Sequence, residues 1–202
     1  MKTLEFLNKI SDNQKESNHI QGWLFPPEAF ILYSMSLENI DAAGKVLEIG
    51  SFMGKSSYWL AKGAKERNGE KIICIDTFEG SIEHQDALKG RSTYTVFEEN
   101  LRRAGVFDWV MPIRKSSSDA FASFNERISL LFIDGSHDYD DVKADLLNWE
   151  QLLIKGGIVI LHDSAGQWAG PTKAADELII GRKHTYKDVI RIESMTIAEK
   201  RI

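Results

Sequence analysis

The sequence predicts an α/β fold: a doubly wound, mostly parallel seven-stranded sheet with helices on both faces. Three observations carry that expectation. Short apolar runs alternate with segments of helical spacing, the runs are too continuous for strands with one wet face, and the tail beyond Thr185 leaves the rhythm. In chain order, the first 42 residues read as a helical extension, with Pro26 and Pro27 opening its second helix. The core, residues 43–202, then offers buried strands at Lys45 to Ile49, Lys71 to Ile75, Trp109 to Ile113, Ser129 to Ile133 and Ile158 to Leu161. Helical stretches at about Ser56 to Arg67, Thr93 to Ala104, Ser117 to Phe124, Tyr139 to Leu153 and Thr172 to Ile180 follow them, giving five strand–helix units. The tail pieces TYKDVIRI and SMTIAEKRI are β-rich and are expected to pair as a C-terminal hairpin at the sheet edge.

A chain of 202 residues, 43% hydrophobic and 27% charged, suits one domain over residues 1–202. A net charge of −5 makes no electrostatic case for nucleic acid or an anionic membrane, so the expected partner is a small molecule. No apolar stretch approaches the roughly 18 to 20 residues that cross a bilayer, and the charged start lacks a signal-peptide core, so the expected location is cytoplasmic. A homodimer is compatible with this reading. Cys74, the single cysteine, lies in the apolar run KIICID and reads as a buried small hydrophobe.

The stretch VLEIGSFMGKSS, residues 46–57, resembles a phosphate loop until it is counted. Only Ser51, Phe52 and Met53 separate Gly50 from Gly54, one residue too few for G-x-x-x-x-G-K-[ST], and Phe52 occupies the second glycine of G-x-G-x-x-G. Ligands of open α/β sheets bind beyond the carboxyl ends of the strands. Those ends are polar here: Glu48, Gly50 and Gly54; Asp76, Thr77 and Phe78; Ser116 to Asp119; Asp134 to His137; and His162 to Ser164. Acids recur where a phosphate would want amides and cations, so a diol, an amine or a metal is the better ligand. Asp76 stands about 20 residues past the loop, the place for a ribose-binding carboxylate, and points to an adenosyl ligand without phosphates.

VLEIGSFMGKSSYWLA, then IICIDTF, then LLFIDGSHDYDDVKADLLNWEQLLIKGGIVILHD together resemble class I S-adenosylmethionine-dependent methyltransferases over roughly residues 20 to 182. The resemblance is specifically to the small-molecule O-methyltransferase branch, which includes metal-dependent sugar and catechol enzymes. The sharpest piece is F-I-D-G-S-H-x-Y followed by G-G-I-V-I-L-H-D. The resemblance implies a Rossmann-like core and S-adenosylmethionine as cofactor. It puts Gly50, Ser51, Phe52 and Gly54 under the methionine part, with Ser56 near its carboxylate and Glu48 holding the loop or the amino group. Asp76 and Thr77 would face the ribose, Phe78 the adenine, and Ser117 to Asp119 the base edge, with Asp134 closing the cofactor site.

An acceptor hydroxyl must lose a proton before it is methylated. Asp134 and Asp163 end neighbouring strands and would supply hard oxygens to a divalent cation, expected to be magnesium. The branch often carries a second acid or amide after the last carboxylate, where this chain has Ser164; His162 is either the substitute third ligand or a strand-end histidine packed under the site. His137 would take the proton; its competing role is helix entry, with Asp138 and Asp140 as capping acids. His162, Trp168 in the segment Gln167 to Pro171, and Trp23 in Gly22 to Pro27 would line the acceptor pocket beside His137. His19, His84 and His184 read as surface residues, and Trp59, Trp109 and Trp149 as core. Two other functions stand against O-methylation: a non-methylating cofactor-binding relative, associated with hydroxylation or regulation, and a phosphate-loop nucleotidase.

Overall fold

The fold was analysed in a computed structural model, which describes residues 3–38, 44–80, 88 and 91–202. Strands β1 (Lys45–Ile49), β2 (Ile72–Asp76), β3 (Val110–Arg114), β4 (Ile128–Ile133) and β5 (Leu153–Leu161) are parallel, and β6 (Tyr186–Ile192) and β7 (Met195–Lys200) follow. The order across the sheet is β3-β2-β1-β4-β5-β7-β6, with β7 antiparallel to both β5 and β6. The chain therefore winds outward in two directions from β1, which leaves a crevice at the carboxyl ends of β1 and β4.

The pleat sorts side chains onto two cores. Val46, Ile72, Cys74, Leu130 and Phe132 pack one face together with Tyr33, Trp59 and Phe97. These come from α2 (Pro26–Glu38), α3 (Lys55–Glu66) and α4 (Thr93–Arg103), with α1 (Thr3–Ser17) laid outside them. Leu47, Ile49, Leu131, Ile133 and Val159 pack the other face against α5 (Ser117–Phe121), α6 (Tyr139–Trp149) and α7 (Ala169–Ala175). Cys74 is buried as expected, and burial pushes its thiol well above the usual range. Trp59 and Trp149 are core residues. Among the described residues no helix is long and apolar enough to cross a membrane.

Several expected boundaries shift, each for a local reason. β3 starts one residue later than read, because Phe107–Trp109 forms a single 3-10 turn that leaves Trp109 only partly buried. It is an edge strand and not a doubly buried one: it carries Pro112, which has no N–H to give a neighbour, and Met111 is 41% exposed. β5 begins at Leu153, inside the stretch read as helix, so α6 ends at Trp149. α5 stops at Phe121, short of Phe124. α7 starts at Ala169 and finishes in a π turn, Asp176–Ile180. At the start of α6 the capping falls to Ser136, whose hydroxyl accepts from Asp138 N at 3.1 Å and donates to Asp141 at 2.9 Å, while Asp138 makes no side-chain cap.

α2 does open at Pro26, and Glu28 in its first turn accepts the N–H of Phe25 at 2.8 Å, the reach-back of a capping box. The extension is locked to α3 by Ser36, which donates to the Leu60 carbonyl at 2.7 Å, and by Tyr33, which donates to Glu66 at 2.9 Å.

Candidate active site at the carboxyl edge of the sheet

The β1–α3 loop is held from three sides. Gly50 has φ +85° and its N–H reaches the Ile75 carbonyl at 2.9 Å; a Cβ there would fall 2.1 Å from the Asp134 carbonyl oxygen, so only glycine fits. Asp76 accepts from Ser51 N and Phe52 N, both at 2.8 Å, and from Phe78 N at 2.6 Å. Asn100 of α4 donates to the Met53 carbonyl at 2.9 Å. The Asp76 carboxylate thus ties β2 to the loop, with about one of its four lone-pair directions left for a diol.

Glu48 is fully buried beneath the loop, where Ser51 donates to its Oε2 at 2.7 Å and Ser57 donates to the same oxygen. Its Oε1 is buried without a partner. Burial raises the carboxyl above the usual carboxylate range, outweighing the surrounding hydroxyls, Ser56 among them. Lys55, which made the loop look like a phosphate binder, turns away: its Nζ donates to the Ser17 carbonyl at the end of α1, at 2.9 Å.

The residues expected around adenine are less free than the sequence suggested. Phe78 is core, with its ring 5.0 Å from Phe97 and 5.2 Å from Tyr94. The Ser117 hydroxyl accepts from Trp149 Nε1 at 2.8 Å. Asp119 forms the α5 cap with Ser116, receiving its hydroxyl at 2.7 Å. Thr77 is exposed, and its hydroxyl accepts from Glu79 N at 3.4 Å.

The second half of the edge gathers charge. His162, 4% exposed, places Nδ1 3.1 Å from Asp134 Oδ1 and 3.2 Å from Asp163 Oδ2, and the ring N–H is aligned for a hydrogen bond to neither. Its Nε2 lies 3.2 Å from Glu28 Oε2. Burial alone lowers the imidazole's pKa, but Asp134, Asp163 and Glu28 overcome it and push it up to about 12. Burial raises Asp134, with the His162 charge opposing. Asp163 is lowered, burial being outweighed by the nearby His162 ring and by His137. Asp134, His162 and Asp163 present ligand atoms within 4.8 Å of one another, a group able to hold a metal ion.

His137 stands at the mouth of this cluster. Its Nε2 is 3.1 Å from Asp163 Oδ2 and its ring stacks on Trp168 at 4.0 Å and 9°. Trp168 is 48% exposed, and its segment is pressed onto the His137 loop at Gly170, where a Cβ would lie 2.1 Å from the His137 carbonyl oxygen. Trp23 covers the glycine loop, its ring 5.8 Å from Phe52.

One expectation is corrected. Ser164 is no metal ligand: it is fully buried, donates to the Leu161 carbonyl at 2.7 Å and pairs with Thr196 at 2.8 Å. Asp163 has φ +54°, which breaks the strand alternation and turns Ser164 toward β7. His162 is a buried member of the charge cluster, packed under the site. His19 lies partly buried near the Asn100 carbonyl, His184 is exposed, and His84 falls outside the described residues.

The sequence reading missed Glu28, buried and joined to Ser194 N at 2.8 Å and to the Ser194 hydroxyl at 2.5 Å. The run P-P-E signals a capping glutamate, but nothing local foretells that this carboxylate reaches the sheet edge.

Residues 47–164 match the family described as methyltransferase domain. An uncharacterized protein of Sinorhizobium fredii, y4gI, is 25% identical over 122 residues, which is 59% of this chain and 13% of that much longer protein. Among solved structures, the O-methyltransferase NovP superposes with a TM-score of 0.68 at 17% identity, over 85% of this chain and 80% of its own. TomG from Streptomyces achromogenes, an O-methyltransferase of tomaymycin synthesis solved with SAM, gives 0.67 at 16% identity over 97% and 89%. An O-methyltransferase from Bacillus cereus in complex with SAH gives 0.64 at 15% identity over 96% and 91%.

Proposed function

This chain belongs to the methyltransferase domain family, and from that premise we propose that it is an S-adenosylmethionine-dependent O-methyltransferase acting on a small hydroxylated acceptor, a sugar, phenol or secondary metabolite, with the help of a divalent cation. One observation carries the reading: the family's loop at β1 abuts Asp134 through Gly50, so it shares one end of the sheet with the cluster of Asp134, His162, Asp163 and His137. Neighbours of the same fold that are O-methyltransferases support oxygen as the acceptor atom. We read residues 1–202 as one methyltransferase domain, acting in the cytoplasm and able to pair as a homodimer, with a small molecule and not nucleic acid as its partner.

The residues fit both groups. The unpartnered, buried Glu48 Oε1 and the left-handed Gly50 and Gly54 suit an amino-acid-bearing ligand, and the Asp134, His162 and Asp163 donors suit a dication. S-adenosylmethionine would supply an activated methyl, and a cation held by Asp134, His162 and Asp163 would lower the acceptor hydroxyl's pKa and orient it. The chain contributes the rest. Asp76 keeps the loop in shape through the Ser51 and Phe52 amides. Trp168 and Trp23 offer flat walls for a sugar or aromatic ring. A neutral His137 that gives its Nε2 proton to Asp163 keeps Nδ1 free to take the acceptor's proton.

A metal-free version of the chemistry has its own observation: the His137–Asp163 contact of 3.1 Å is a base and its orienting carboxylate. Calorimetry with S-adenosylmethionine, followed by turnover of a panel of phenols and sugars with and without chelator, tests the proposal. Binding plus chelator-sensitive methylation is expected. Methylation that survives chelator would give the His137–Asp163 pair the whole task, binding without any turnover would make the chain a non-methylating relative, and no binding would remove the reading.

A further inference from the structure

The metal-assisted reading treats the cation as magnesium, the choice for hard oxygens alone. The donor set is different. Asp134 and Asp163 bring carboxylate oxygens, but the third donor is an imidazole nitrogen, a ligand that suits zinc, iron, nickel or copper better than magnesium. We infer that His162, held in place by Glu28, is a nitrogen ligand that makes this site select a first-row transition dication over magnesium. The inference rests on the metal-assisted reading above.

Three features single out this histidine. First, its Nδ1 is buried, stands 3.1 and 3.2 Å from the two carboxylates, and is hydrogen-bonded to neither, so the ring edge is aimed between them and not at one. Second, Nε2 faces Glu28 at 3.2 Å, and metal-bound histidines characteristically give their other N–H to a carboxylate, which fixes the ring and raises the basicity of the ligating nitrogen. Third, Glu28 is itself immobilised. Phe25 N donates to Oε2 at 2.8 Å, and Ser194 donates to Oε1 through its N–H at 2.8 Å and its hydroxyl at 2.5 Å. Phe132 closes the ring's flank edge-on at 6.0 Å. A carboxylate anchored by the start of its own helix and by a distant strand turn is a positioning residue, built to hold one ring orientation.

Metal-stripped protein titrated separately with Co2+, Mn2+ and Mg2+ decides the matter, S-adenosylmethionine affinity and the circular dichroism spectrum serving as checks of fold. The wild-type chain is expected to bind Co2+ and Mn2+ at least about 10-fold more tightly than Mg2+, with a visible Co2+ absorption that carries a nitrogen ligand. In His162→Asn an amide oxygen replaces the nitrogen at the Nδ1 position, so the preference should fall toward parity and the Co2+ spectrum should change. Glu28→Gln should weaken Co2+ by about 10- to 100-fold with S-adenosylmethionine affinity kept. Should Glu28→Gln fail the fold checks, Ser194→Ala, which removes one Glu28 tether, should shift the same Co2+ spectrum. Equal affinity for Co2+ and Mg2+ in the parent, or an unchanged preference in His162→Asn, would overturn the nitrogen ligand. Unchanged Co2+ affinity in folded Glu28→Gln would overturn the positioning role. No metal binding by a chain that still methylates would remove the metal-assisted reading and this inference with it, whereas metal bound without preference would remove this inference alone.

Discussion

The two halves of the carboxyl edge handle buried carboxylates in opposite ways. Around β1 and β2, Asp76 meets three backbone amides and Glu48 meets hydroxyls, so the acids are answered locally by neutral donors. Around β4 and β5, Asp134 and Asp163 converge with Glu28 on one imidazole, so the acids are answered by each other's shared counter-charge. The first arrangement answers its acids with neutral donors and leaves Glu48 Oε1 open. The second gathers like charge at a cost that a purely structural design would avoid, which is the signature of a site for chemistry. The difference assigns holding to one half and reaction to the other.

Asp134→Asn is the strongest way to break that division. It should lower turnover by about 1000-fold or more, since a shared charge is lost at the reacting centre, while calorimetry finds S-adenosylmethionine bound within a few-fold of the parent. A large loss of cofactor affinity would instead put Asp134 on the holding side. Next in size, His137→Ala should cost roughly 100-fold in kcat, as a lost general base does, with cation affinity unchanged. If cation binding disappears too, the histidine is a ligand.

On the holding side, Asp76→Ala should weaken S-adenosylmethionine by about 10-fold or more, because charge-assisted bonds that keep the loop are worth roughly 1.5–3 kcal/mol. Its effect on kcat at saturating cofactor should be small; an equal fall in both would blur the two regions.

The smallest effect lies on the border between the halves, at Asp145. Burial raises its carboxyl to about 6, partly offset by the Ser117 hydroxyl. Between the unfolded value near 3.9 and about 6 the native state therefore holds a proton that the unfolded chain has released, and stability falls as pH rises through that window. Asp145→Asn should flatten that slope and stabilise the protein above pH 6 by about 1–2 kcal/mol, after allowance for partial exposure, as denaturant melts at pH 4.5 and 7.5 would read. A slope unchanged in the variant would place the titrating group elsewhere.

The strands, their parallel core and the terminal hairpin were legible because burial on both faces leaves long apolar runs, and a strand end in an open sheet marks where polar residues collect. Side-chain direction was not. Lys55 sits in a phosphate-loop-like string, yet its amine goes to the end of α1, and that choice depends on a helix 38 residues earlier. Ser164 follows a strand in the register of a ligand, but the left-handed Asp163 reverses the alternation on which such reading depends. Glu28 and His162 are 134 residues apart, and no periodicity connects them. Sequence spacing locates candidates along an edge, whereas tertiary packing decides which of them face it.

The terminal hairpin has a further consequence, seen in the order of synthesis. Because β7 runs against β5, the β6–β7 turn arrives at the carboxyl edge and delivers Ser194 to Glu28, a residue made 166 positions earlier. The glycine loop and the five parallel strands can all emerge from the ribosome before that contact is available. Without that turn Glu28 lacks two of its donors. The reaction centre is therefore completed last, and its appearance during translation marks the moment at which the early helix and the late hairpin have both docked.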